Sequence, residues 1–500
     1  MDENSSINND PIVENDEDIN DDSEDRELVN DSCSTKVEPA AEPHDRYCIV
    51  LLLFYLFGIT SLVPWNFLIT ANDYWMYKFR DVTPSNMTMF VRKTQFQAEF
   101  TSYLNVATAV PNLVFLVINS LYGHLVPLKY RLQGSLIIIT LSFLVTTAFV
   151  QIDTDDWQNE FFIITLVTVV IMTGKIYTRA PPEQLYFFVH VQKSLYTMHL
   201  LFNDSDWFVA RKVSIPGANI FHTFYFAIFI GGIYGIASKF SNEYMSAVVS
   251  GQSLGGIIAA MAQIISLAFK ISPLHSALIY FIIADIMVIV SLISYISMYK
   301  LDFFTYHILR GCGGLATNRH REVSMLIIMK KIWVYALAIF VVFAVSMAVY
   351  PAVTVLVESH PITTGTDWNN IFFVPVVNYL IFNCGDYSGR LAAGFLLKPE
   401  GQWWIAIASM LRVIGIPMLM FCNAQPRKHL PVIFLWDWEY IIIMIIFAFT
   451  NGYCTNIIMV NSTRSVDPHE REKASSIIAT VLSVGLTVGA AIGMLLVRLI

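Results

Sequence analysis

After residue 46 the chain consists of long apolar stretches separated by short polar connections. They fall at 47–71, 98–121, 132–150, a fourth starting at 161, then 244–269, 274–298, 332–356, 372–397, 403–422, 440–460 and 474–499. A hydrocarbon core roughly 30 Å thick is crossed by about 20 apolar residues in a helix, so the pattern predicts an all-α membrane protein of eleven transmembrane helices. Residues 1–46 read differently, with acidic runs at 14–18 and 21–25 and no apolar core. This segment is predicted to be a disordered cytosolic tail and not a cleaved leader, so that the first span acts as its own insertion signal. The polar stretch 299–331 divides the spans into a six-helix bundle, 47–298, and a five-helix bundle, 332–500. A cytosolic linker at that point is what two halves rocking against each other need.

Composition agrees with lipid as the main solvent. Of 500 residues 55% are hydrophobic and only 14% charged, and the mean hydropathy is +0.55. The net charge of −8 owes much to the acidic tail and says little about partners. The six cysteines are scattered, without CxxC or metal-ligand spacing, and ordinary buried thiols explain them. Lys and Arg collect in alternate loops: Lys129 and Arg131; Lys239; Lys300 through Lys331; Lys398; and Arg464, Arg471 and Lys473. Because basic residues are retained on the cytosolic side, the N-terminus is expected inside and the C-terminus outside. Asn86, in Asn86-Met87-Thr88, then becomes the glycan acceptor that topology favours.

Several spans carry residues that do not belong in lipid. In the eighth, Asn383, Asp386 and Arg390 are spaced three and four apart and share one helical stripe. A lone charge at mid-bilayer costs about 2.5–3.5 kcal/mol on insertion scales, so Asp386 and Arg390 are expected to pair and to line a wet cavity; the plainer alternative is a structural ion pair. The first span carries Pro64-Trp65-Asn66-Phe67, a bend, an amphipathic ring and an uncharged amide. Trp65 suits a flat base or, equally, an interfacial belt. In the fifth, Ser250-Gly251-Gln252-Ser253-Leu254-Gly255-Gly256 looks built for close packing, with Gln252 supplying hydrogen bonds. Arg412, before Pro417 in the ninth span, is expected to satisfy carbonyls freed by that proline. There is no Gly-x-x-x-x-Gly-Lys-Ser/Thr loop, no HExxH, no GxSxG and no cluster of His, Cys and carboxylates, so neither direct ATP drive nor an enzyme is expected.

At these positions the chain resembles the equilibrative nucleoside transporter family, over nearly everything after residue 47. The matches occur in order: Pro64-Trp65-Asn66-Phe67 with Thr70-Ala71; Val249-Ser250-Gly251-Gln252; Lys330-Lys331-Ile332-Trp333; Tyr350-Pro351-Ala352-Val353-Thr354. Then follow Phe382-Asn383, Asp386 and Gly389-Arg390; Arg412, Pro417 and Cys422-Asn423; and Phe449-Thr450-Asn451-Gly452-Tyr453. The resemblance implies a major-facilitator-like arrangement of six and five helices and facilitative, sodium-independent exchange of nucleosides or nucleobases across a lipid bilayer. It implies no cofactor, no metal, no ATP and no nucleic acid. Carried over by position, Trp65 would pack on the base, Asp386 and Arg390 would bind the ribose or the base edge, and Asn66 and Asn383 would shape the pocket. Ile69, Ile230, Gln252, Tyr379, Arg412 and Asn451 are further candidates for lining or gating it.

The fourth span departs from the family. It begins at Phe161 and resumes near Gly231, with the polar insert 174–224 between, which cannot cross lipid as one helix. The insert is read as a misjoined or alternative coding segment, and Ile230 stands where the family has a pocket glutamine. Two alternatives follow: a proton-coupled or organic-cation carrier of the same family, and a non-transporting membrane scaffold. The plasma membrane is the expected address, with an endolysosomal membrane as the alternative.

Overall fold

The computed structural model describes residues 43–80, 112–114, 117, 128–175, 223–313, 324–360, 367–395, 401–425, 427 and 429–500. The acidic tail to residue 42, most of the second span, the body of the insert and the acceptor Asn86 lie outside the described residues. Everything below belongs to one unit, Asp45–Ile500.

Among the described residues, eight helical stretches are long and apolar enough to cross a membrane. With the ordinal names kept, the first span is Ile49–Thr70, the third Leu128–Gln151, the fifth Asn242–Ala268 and the sixth Pro273–Met298. The seventh is Met325–Val349, the tenth Asp437–Arg464 and the eleventh Arg471–Leu499. The ninth runs through Gln402–Leu411 and Gly415–Met420, joined by a single 3-10 turn at Arg412–Ile414. Local chemistry sets several ends. Pro273 opens the sixth span, where a missing N–H costs nothing, and Glu439 closes a capping box at the start of the tenth.

The sixth span shows the solvent directly. Ala277, Phe281, Ala284 and Val288 are buried, whereas Ile282, Ile286, Ile289, Ile293 and Ile296 form an exposed column on the other face. A helix apolar on both faces is stable only where its outer face meets lipid, so the chain is a multi-pass membrane protein.

Three elements differ from the sequence-based expectation. The stretch 299–331 is not an open linker throughout: Asp302–Gly313 is an amphipathic helix with Phe304 buried, and the seventh span starts at Met325. The eighth span begins as π-helix, over Trp368–Phe372 and Val374–Leu380, and becomes α-helix at Ile381–Phe395. The fourth is broken. Its halves, Gln158–Met172 and Phe226–Ala237, both pack on the third span, and the only described strands, Thr173–Lys175 and Thr223–Tyr225, pair antiparallel between them. The insert therefore leaves and re-enters the helix at one neck, with Thr173 opposite Tyr225.

Within each half, spans that are not consecutive in the chain pack together: first on fifth and sixth, third on sixth, then seventh on ninth and eleventh, and eighth on tenth. Between the halves the fifth span lies against the eighth and tenth, and the second half of the fourth against the eleventh. The fifth–eighth seam is where the polar residues meet.

Candidate functional site

Asp386 and Arg390, one turn apart in the eighth span, form an ion pair at 2.9 Å between Oδ2 and Nη2. The pair does not border an open chamber. Asp386 is 4% exposed and Arg390 5%, because the fifth span covers them. Ser253 donates its hydroxyl to Asp386 Oδ2, and Arg390 Nη1 donates to the Val249 carbonyl and, at 3.4 Å, to Gln252 Oε1. From the tenth span, Asn451 Nδ2 donates to Asp386 Oδ1 at 2.7 Å and Asn456 Nδ2 to the Arg390 carbonyl at 2.6 Å. Gln252 extends the network, accepting from the Tyr234 hydroxyl at 2.9 Å and lying 3.3 Å from Ser61 Oγ in the first span. A charge pair in a dry interior is tolerable only when its remaining lone pairs and protons are also engaged. Here those partners come from both halves, and Arg390 Nε is left without one among the described residues.

The other sequence candidates divide. Asn383 continues the stripe; its Nδ2 donates to the Tyr379 carbonyl at 2.9 Å, and its Oδ1 lies so close to the fifth span that a β-carbon at Gly256 would be 2.0 Å away. Arg412 does not serve the carbonyls near Pro417. It reaches across to the tenth span and donates to the Phe447 carbonyl at 2.8 Å and to Thr450, and it meets Asn451 as well. Pro417 sits in a short helix after the 3-10 turn, and the Arg412 side chain finds its acceptors on the neighbouring span. Trp65 is half-buried in the apolar cluster of the first six spans, and the Asn66 side chain has no partner in the Asp386 network among the described residues. Ile69 is half-buried on the same helix, and Ile230 packs against the apolar core.

Sequence reasoning underrated the fifth span. Gln252 and Ser253, in a stretch that looked built for packing, supply two of the hydrogen bonds to the charged pair. The only sequence signal was a polar pair amid small residues. It also passed over Asp285 in the sixth span, which is buried with Oδ2 accepting from Thr147 at 2.6 Å and Oδ1 without a partner among the described residues.

Chemically, the seam offers a carboxylate, a guanidinium and amides, which suit hydroxyls and the edge of a neutral ring. Asp467, His469 and Glu470, between the last two spans, are close enough to hold a metal ion. Lys331 Nζ already bridges two of them, at 2.7 Å to Glu470 and 3.1 Å to Asp467, so their charge is answered by an ammonium.

Comparison with known proteins agrees with this picture. The chain is similar to rat equilibrative nucleoside transporter 1, with 27% identity over 92% of this chain and 99% of that one. It is similar to human equilibrative nucleoside transporter 2 at 26% identity, over 91% and 98% of the two chains. A solved structure, the E. coli fucose:proton symporter, aligns over 91% of this chain and 96% of its own with TM-score 0.40 and 11% identity, too loose a likeness to bear on the fold. The family profile described as "Nucleoside transporter" matches residues 218–323 and 314–498, together more than half of the chain. With membrane helices, the polar seam and this match in agreement, the chain belongs to the nucleoside transporter family.

Proposed function

We propose that this chain is a facilitative, sodium-independent carrier of nucleosides, and of nucleobases, working by alternating access. Asp386 and Arg390 take the sugar hydroxyls or the base edge when the fifth span withdraws from the eighth, and Asn383 shapes the same pocket. The observation that carries this is the seam itself. The groups suited to a ribose are held, in the closed arrangement, by partners from the opposite half. A ligand that replaces those partners exchanges one set of hydrogen bonds for another at little net cost, so modest affinity and rapid release are compatible. Its relatives' names support the substrate class. The basic loops support a cytosolic N-terminus, and the plasma membrane is the address. On this reading the protein is a carrier and not an enzyme.

Uptake of labelled uridine and adenosine tests it, in cells without nucleoside carriers of their own, for the full chain and for one lacking 174–224. Saturable flux that is flat with pH and independent of sodium is expected. Steep acid stimulation would make it a proton-coupled carrier, and no flux from surface-exposed, folded protein would make it a scaffold. The shorter chain should fold. Cross-strand partners such as Thr173 and Tyr225 stand about 4.5–5.5 Å apart, against about 3.8 Å for bonded neighbours, so the excision asks for little movement.

A further inference from the structure

Arg412 is a buried cation with no carboxylate in salt-bridge range among the described residues. Its two terminal nitrogens are nevertheless engaged, while Nε has no partner among the described residues. Nη1 donates to the Phe447 carbonyl and Thr450 Oγ1, Nη2 donates to Ser346 Oγ at 2.8 Å and Asn451 Oδ1 at 3.3 Å, and the guanidinium lies 4.6 Å from the Phe447 ring centroid. Ser346 Oγ is itself 2.7 Å from Asn451 Oδ1. The oxygen of the Asn451 amide thus faces the cation, and its NH2 faces Asp386 Oδ1 at 2.7 Å. The reverse orientation would set NH2 against guanidinium and oxygen against carboxylate, donor to donor and acceptor to acceptor. The amide dipole is aligned between a cation and an anion that never touch.

We infer that Arg412 is a positioning residue, which through Asn451 fixes the Asp386 carboxylate so that Oδ1 is committed and Oδ2 is the edge presented at the seam. Every member of this relay lies in spans seven to ten, so it travels with Asp386 when the fifth span, carrying Ser253, moves away. What the substrate meets is then a carboxylate already oriented, as preorganised binding requires. The assignment rests on Asp386 being a substrate contact.

Arg412→Lys keeps the charge and loses the fork; Asn451→Ser shortens the link. Each is expected to raise KM for uridine about five- to twentyfold while maximal flux per surface copy falls less than about twofold. The double variant should match Asn451→Ser alone, because both act through one contact. Each should also reduce discrimination between uridine and its 2′,3′-dideoxy analogue, a readout that loss of packing does not move. Asp386→Asn separates the two ideas. If it leaves KM unchanged, the substrate contact itself is wrong. If it changes KM while the Arg412 and Asn451 effects add independently, or leave KM and the dideoxy ratio alone, the relay is overturned. Failure of both variants to reach the surface would also overturn it, in favour of a purely structural arginine.

Discussion

The fifth span meets its neighbours through two unlike faces. Toward the first span the contact is backbone on backbone: a β-carbon at Gly251 would lie 2.3 Å from the Tyr55 carbonyl oxygen, and one at Gly58 would lie 2.2 Å from that of Val248. Toward the eighth span the contact is with side-chain ends, the Asn383 amide at Gly256 and the Asp386 carboxylate at Ser253. Two backbones packed this closely have no soft coordinate along which to part. Amide and carboxylate ends rotate and exchange partners at low cost. Spans one and five therefore read as a fixed unit of one half, and spans five and eight as the surface along which the halves separate.

Substitutions can break that contrast. The largest effect is expected from Gly251→Leu, which forces whole side-chain volume between two backbones and exceeds the about 1–3 kcal/mol of ordinary overpacking. Surface biotinylation and gel filtration should find almost no folded protein, and normal flux would mean the first–fifth contact is not fixed. Next comes Arg390→Ala. It leaves Asp386 buried without its cation, a loss of about 3–5 kcal/mol for broken buried pairs, and uridine uptake per surface copy should drop to background. Asp386→Ala should do the same, and normal uptake in both would make the pair peripheral.

Smaller changes sharpen the contrast further. Ser253→Ala removes a donor that belongs to the opposite half and weakens only the closed seam. Loss of a hydrogen bond to a charged group, about 1.5–3 kcal/mol, should lower KM roughly ten- to a hundredfold while slowing return of the empty carrier, seen as a higher ratio of exchange to one-way flux. An unchanged KM and ratio would mean that the hydroxyl does not compete with substrate. Gly256→Ala should matter least. Its β-carbon meets only the tip of Asn383, which can turn aside, so flux is expected within about twofold of the parent, and a collapse of folding would show this seam to be as rigid as the first.

Sequence by itself determined what is local along the chain. Runs of apolar residues placed most of the described spans to within a few residues, although the seventh starts at Met325 and not at 332, and the three- and four-residue spacing put Asn383, Asp386 and Arg390 on one stripe, because a helix has only one periodicity to impose. The break in the fourth span was likewise visible as a polar stretch too charged for lipid. Only the tertiary structure decided who answers those charges. Ser253 is 133 positions from Asp386 and Asn451 is 65 away, and no periodicity links positions on different helices. It also decided that Arg412 turns to Phe447 and Asn451 instead of its own helix, and that the ends of the insert meet as paired strands. The physical reason is the same in each case. Hydropathy fixes which segments leave water, whereas partners for buried polar groups are chosen by how the helices pack against one another.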